Sequence, residues 1–306
     1  EIGIMTLMFY LGLELSIKKF KETGAISFLY TIVDMGAVFL AGFLVSKLFG
    51  FSTIEALIIG SLLPMASTVI IVKFLMERKL FELPEARIAV SSLIIEDFIG
   101  IIVLIFIATL TAQKSLNYVV FNGVVFVIAM FLLVRKVSEF VLKLIDAENH
   151  ATSIALYAIG VGLLVGYVGT LLGLSAILGA YFAGFALAET VYHERIKKQL
   201  GLFREFFIMF FFVNFGSFIK LPSSIEWVAL LLVLVAVYVV TKILVGGIAG
   251  TSMGMKPLSA VTVGVLLIPI GEFSLIIASA AAGILGSRAS EVLTLAFMLT
   301  LVTSLL

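Results

Sequence analysis

ALIIGSLLPMASTVIIVKFL, residues 56–75, is an apolar run long enough to cross a bilayer, and Pro64 interrupts it near the middle. Twenty residues of helix span about 30 Å. Proline removes one N–H from the helical ladder and clashes with the preceding turn. Backbone groups freed in this way persist at membrane depth only where they line a cavity or a polar site. Ser67 and Thr68 follow the break directly. A second run, SAVTVGVLLIPIGEFSLIIASAAAG at 259–283, repeats the arrangement, with Pro269 followed by Gly271 and Glu272. For one run alone, a plain proline kink explains the sequence equally well.

Runs of this kind fill most of the 306 residues. With 62% hydrophobic residues, 13% charged and a mean hydropathy of +1.26, the chain reads as an all-α polytopic membrane protein, not a secreted, nuclear or cytosolic enzyme. Twenty Lys and Arg against nineteen Asp and Glu leave a net charge of +1, so no electrostatic field points to a nucleic-acid partner. The absence of cysteine excludes disulfides, thiolate metal sites and a cysteine nucleophile. The first apolar stretch, residues 2–15, is only about 21 Å of helix, so we expect N-terminal spans to be missing before Glu1.

Charge clusters and turn residues divide the chain into spans near 1–15, 24–46, 54–76, 86–111, 117–142, 151–172, 174–190, 203–219, 226–249, 257–283 and 290–306, eleven in all. The loops between them are too short for an enzyme domain, so residues 1–306 form one transmembrane unit. Odd-numbered loops carry fifteen cations, among them Lys18, Lys19, Lys21, Arg78, Lys79 and Lys256; even-numbered loops carry Lys47, Lys114, Lys220 and Arg288. Cations collect on the cytoplasmic side, which puts Glu1 outside and Leu306 in the cytoplasm.

Five ionisable residues stand inside spans: Asp34, Glu96, Asp97, Lys242 and Glu272. Each costs free energy at membrane depth and so calls for a reason. Asp34, Glu96, Asp97 and Lys242 lie about 11–17 Å from the cytoplasmic ends of their spans at 1.5 Å per residue, in one shared layer. Spans two to four carry Asp34, the Pro64 break and the acidic pair; spans nine to eleven carry Lys242 and the Pro269 break. An odd number of spans separates corresponding helices, so the second trio is inverted relative to the first. An inverted repeat with a broken helix in each half points to a secondary transporter with its site at the repeat interface.

At these residues the chain resembles the monovalent cation:proton antiporters, in the branch of Kef-type potassium efflux systems and Nap-type sodium/proton antiporters. The resemblance rests on FYLGLEL at 9–15, ASTVIIVKFL at 66–75, LIIEDFIGI at 93–101, LSAILGAYFAGFAL at 174–187, FFFVNFGSFI at 210–219, Lys242 and GEFSLII at 271–277. It implies an inverted-repeat antiporter fold with two crossing broken helices and thirteen spans, two of them ahead of Glu1. It also implies a mobile core domain (about 1–112 and 203–306, with helices around 24–111 and 226–306), a dimerisation domain (helices about 117–190) and elevator-like alternating access. A homodimer embedded in membrane lipid is expected; a C-terminal regulatory domain is common in the family, and none is visible in this chain. Asp97 matches the acid that exchanges a monovalent cation for protons, Glu96 the variable position before it, and Lys242 the basic residue paired with that position. Glu-Asp departs from the usual Gln-Asp, Asp-Asp and Asn-Asp pairs.

Carboxylate oxygens serve a cation and a proton alike. Asp97 is expected to combine with the Ser67 and Thr68 hydroxyls and carbonyls freed at Pro64, although those hydroxyls would equally satisfy the break itself. Glu96 sits about 100° around the helix from Asp97 and is expected to pair with Lys242, as a coupling element or as a stabilising bridge. Asp34 either neutralises the other crossing or competes for Lys242. Glu272 compensates half-helix N-termini or lines ion access, and Glu14 is an interfacial or packing charge. The expected cargo is Na⁺ (or Li⁺) against H⁺ in the plasma membrane, with no cofactor. The alternatives are Kef-like K⁺ efflux or K⁺/H⁺ exchange, a channel-like protein, or sodium-coupled symport on the same fold. HERIK at 193–197 lacks the second His of a zinc-protease helix, and no G-x-S-x-G occurs.

Overall fold

The structure, a computed structural model, describes residues 2–14, 24–111, 116–147, 151–171, 176–217 and 225–306. Lys18, Lys19, Lys21, Lys114 and Lys220 of the charge tally lie outside the described residues, as do positions 15, 174–175 and 218–219 of the quoted motifs. The described chain is helical: α1 (Ile2–Glu14), α2 (Ala25–Leu48), α3 (Thr53–Leu62), α4 (Thr68–Glu77), α5 (Pro84–Thr111), α6 (Leu116–Ala147), α7 (Ala151–Leu171), α8 (Ala176–Ala188), α9 (His193–Ser217), α10 (Ile225–Ser252), α11 (Pro257–Leu266), α12 (Glu272–Leu285) and α13 (Ala289–Ser304). Among these, α2, α10, residues 84–107, residues 152–171, and 272–304 across the 3₁₀ turn Gly286–Arg288 are each long and apolar enough to cross a bilayer. Helices prevail because a bilayer offers no water to bond free N–H and C=O groups.

α9 begins at His193, ten residues ahead of the start expected from hydropathy. Its first turns are charged, and charged side chains with long stems are good helix formers. Lys197 on this added segment lies 3.5 Å from Glu14 on α1, which gives the polar turn a partner.

The chain divides into two compact units, Glu1–Lys19 with Ala108–Ser217, and Phe20–Ile107 with Phe218–Leu306. This differs from the expected division, which placed residues 1–19 and 203–217 with the broken helices. The reason lies in α1. A Cβ on Gly12 would sit 2.1 Å from the Tyr181 carbonyl, and one on Gly184 would sit 1.9 Å from that of Phe9. Small residues let α1 and α8 approach backbone to backbone, the packing that membrane helices use in place of a hydrophobic drive. Phe9, Leu13, Leu142, Ala183, Leu187 and Ile196 form the core of that unit.

The other unit holds both breaks. α3 starts on a capping box, in which Ser52 accepts from the Glu55 N–H while Glu55 accepts from that of Ser52. The helix stops at Leu62, and after Pro64 the Ser67 hydroxyl caps α4 by accepting from the Ile70 N–H. α11 stops at Leu266, and α12 starts after Gly271. The extended segments between the halves meet as an antiparallel bridge, Ala66 opposite Ile270. Ser67 N–H donates to the Pro269 carbonyl and Gly271 N–H to that of Met65, both at 2.7 Å. Each break thereby satisfies part of the other's freed backbone. A Cβ on Gly271 would stand 2.8 Å from Ser67 Cα, so this contact requires glycine.

Candidate functional site

Three buried charges converge from three helices of the second unit: Asp34 from α2, Glu96 from α5 and Lys242 from α10, each at most 1% exposed. Lys242 Nζ donates to Asp34 Oδ2 at 2.6 Å and lies 3.8 Å from Glu96 Oε1. Glu96 Oε2 in turn accepts from the Ala66 N–H at 2.8 Å. Lys242 therefore takes Asp34 as its hydrogen-bonded partner, the competing pairing of the sequence reading, while Glu96 reaches the first break with one oxygen and stands near the ammonium with the other.

A buried charge costs several kcal/mol unless it is paired and hydrogen-bonded. The ammonium meets that condition through Asp34, and Glu96 through a backbone donor at the crossing. With all three ionised the cluster carries a formal charge of −1. Asp34 Oδ1, Glu96 Oε1 and the Tyr30 hydroxyl are buried without a hydrogen-bond partner among the described residues, and oxygens of this kind suit a small monovalent cation or a proton.

The remaining expected residues take these places. Asp97 is half-buried on α5, one residue beyond Glu96. Ser67 is buried at the N-cap of α4, its hydroxyl accepting from the Ile70 N–H at 3.4 Å with a lone pair to spare, and Thr68 is the half-buried first residue of that helix. Glu272 opens α12, in the turn whose N–H groups lack helical partners.

Two features escaped the sequence reading. Tyr238, one helical turn before Lys242, is fully buried with its ring centroid 5.9 Å from Nζ; its hydroxyl lies 2.8 Å from the Ile268 carbonyl and 3.1 Å from that of Leu267. Thr31 donates to Ser92 at 2.9 Å, joining α2 to α5 one turn below the charges. The available signal was the spacing, since Tyr238 precedes Lys242 by four residues and Ser92 precedes Glu96 by four.

Compensated charges buried at the crossing of two interrupted helices are the mark of an ion-handling membrane protein. The chain belongs to the sodium/hydrogen exchanger family of multi-pass membrane cation/proton antiporters: a family model described as "Sodium/hydrogen exchanger, transmembrane" matches residues 1–306. It is 28% identical to the high-affinity Na(+)/H(+) antiporter NhaS3 of Synechocystis over 295 residues, which cover 92% of this chain and 63% of that protein. It is 30% identical over 292 residues to the ammonium/H(+) antiporter subunit AmhT of Alkalihalophilus pseudofirmus, covering 92% of this chain and 74% of the relative. For the K(+)/H(+) antiporter subunit KhtU of Bacillus subtilis the identity is 26% over all of this chain and 76% of the relative. The sodium proton antiporter MjNhaP1 of Methanocaldococcus jannaschii shares the fold, with a TM-score of 0.69 at 14% identity over all of this chain and 81% of that one.

Proposed function

We propose that this protein is a secondary transporter, not an enzyme, that exchanges a monovalent cation for protons across the plasma membrane by alternating access. The observation that carries the reading is the linkage from Lys242 through Glu96 to the Ala66 N–H, which ties a buried charge cluster to the backbone of a helix break. Asp97, beside that linkage, is the residue at which cation and proton compete. A site neutralised by either ion crosses the low-dielectric barrier more readily than an empty charged one. Ser67, Thr68 and carbonyls at the first break complete the cation's shell, and Glu272 offsets the exposed N–H groups of α12.

Contacts repeated at one constant offset support an inverted-repeat architecture for this transporter. Gly42 and Gly60 meet between α2 and α3, Gly246 and Gly264 meet between α10 and α11, and Ala66 bridges Ile270. Gly42 and Gly246, Gly60 and Gly264, and Ala66 and Ile270 are each 204 positions apart. Equivalent contacts at one constant offset are what two copies of a single helix-and-broken-helix motif produce. Within this reading Glu1 faces outward and Leu306 the cytoplasm, and the protein works as a homodimer, with the unit built on residues 108–217 as its dimerisation part.

Na⁺ is the favoured cargo, because a second acid and a facing lysine accompany Asp97. The named relatives act on Na⁺, ammonium and K⁺, so the assay compares all of them. Protein in liposomes holding an internal pH dye is challenged with Na⁺, Li⁺, K⁺ or NH₄⁺ in turn. Na⁺ is expected to drive proton flux at the lowest concentration. Absence of flux with every cation would overturn the transport reading, and a lower half-saturation for K⁺ would reverse the selectivity.

A further inference from the structure

The two breaks are chemically unequal. In the second, side chains claim several of the backbone groups that the crossing leaves over, while the Ile270 carbonyl, like its counterpart at Ala66, has no side-chain donor among the described residues. Tyr238 on α10 lies within hydrogen-bond distance of the Leu267 and Ile268 carbonyls, and Thr303 on α13 accepts from the Ile270 N–H at 3.0 Å. The Ser274 hydroxyl donates to the Gly271 carbonyl at 2.8 Å. Pro269 O and Gly271 N–H are already taken by the first break, and the N–H groups of Leu267 and Ile268 bond back to α11. In the first break one N–H is met by Glu96, while the Leu63, Pro64 and Ala66 carbonyls have no side-chain donor among the described residues. Acceptors at membrane depth that are not internally paired are the ones on hand to replace a cation's water.

We propose that Tyr238 is a positioning and selectivity-determining residue of the exchange reaction: by donating its one hydroxyl proton to the Ile268 carbonyl and sharing it with that of Leu267, it withholds these two acceptors of the second break from the cation, which is left to the first break beside Glu96 and Asp97. This rests on the antiport reading above. Tyr238 is suited to the task by its place on α10. Its ring packs near the Lys242 ammonium while its hydroxyl reaches the break, so one side chain fixes the spacing between the buried charge and the second crossing. The hydroxyl also keeps two carbonyl dipoles from adding ligands to the site. More oxygen ligands at a flexible site favour a larger ion, so their exclusion keeps the site selective for a small one.

The chain itself supplies a probe, because Ile268–Pro269 is its single Ile–Pro pair. Whole chain in liposomes, labelled with ¹³C-carbonyl isoleucine and ¹⁵N proline, therefore gives one coupled solid-state NMR signal for the Ile268 carbonyl. In the wild type that signal is expected to stay within its linewidth on saturation with Na⁺. The equivalent leucine label reports Leu63, Leu83 and Leu221, and one of those signals, that of Leu63 at the first break, is expected to move. In Tyr238→Phe the Ile268 signal should become Na⁺-dependent, and the ratio of K⁺ to Na⁺ half-saturation should change by about fivefold or more as the donor shared by the two buried carbonyls is lost. p-Aminophenylalanine at 238, which keeps a donor at the same position, should restore the wild-type ratio. A wild-type Ile268 signal that shifts with Na⁺ overturns the proposal whether or not the variants fold. So does a Tyr238→Phe protein that loses only maximal rate and keeps its ratio. Failure of the antiport reading shows separately, as absence of cation-driven proton flux in the unlabelled wild type.

Discussion

Lys242 settles its charge on Asp34 at 2.6 Å while Glu96, at 3.8 Å, is drawn to the break by the Ala66 N–H. Removing one member of a buried pair leaves the other uncompensated, at a cost of about 3–5 kcal/mol. Asp34→Asn is therefore expected to lower the thermal unfolding temperature in detergent markedly, and Glu96→Gln to do so less, because Lys242 keeps its shorter bond. Combining Asp34→Asn with Lys242→Met should cost less than the two single effects added, and strict additivity of the unfolding free energies would count against a direct pair. The participants were legible in the sequence because ionisable residues in apolar runs are rare and these lie at one depth. Both pairings of Lys242 were legible as alternatives, but which carboxylate holds the hydrogen bond was not, since two carboxylates within reach of one lysine are separated only by helix rotation and side-chain geometry. Tyr238 escaped the sequence reading, because its hydroxyl partners are main-chain carbonyls that carry no sequence signature.

Each broken helix is an element of two short halves joined by extended backbone, and the halves hold because the joints bond to each other. Glycine at 271 is the point of closest approach. Gly271→Ala forces backbone apart from backbone, and we expect a loss of about 1–3 kcal/mol in stability, with weakened exchange, as for other overpacked positions. Gly264→Ala is a matched test in the half-helix, since its Cβ would meet the Lys242 carbonyl at 2.3 Å. Both variants are checked by thermal unfolding alongside flux in liposomes; unchanged stability in both would contradict the close crossing. Pro64 and Pro269 made the breaks visible in sequence, because proline cannot take part in the helical ladder. The bridge between Ala66 and Ile270 was not visible in the residues themselves, as main-chain bonding across some two hundred positions depends on no particular side chain. The early start of α9 was missed for a related reason: hydropathy reports where lipid begins, not where helix begins.

At the scale of the whole molecule, charge placement rather than apolar content distinguishes this chain from any other polytopic protein. Fifteen cations on odd loops predict the inside, and the natural absence of cysteine makes that expectation easy to test. In oriented vesicles, Lys79→Cys should react with a membrane-impermeant maleimide only from the cytoplasmic side and Arg288→Cys only from outside; the reverse pattern would invert the topology. Exchange of a monovalent cation for protons at the carboxylate beside Glu96 is measured as cation-driven proton flux in liposomes carrying Asp97→Asn beside the wild type. The expected result is loss of flux in a variant that retains the wild-type unfolding temperature to within a few degrees. Wild-type exchange by folded Asp97→Asn protein would contradict the account.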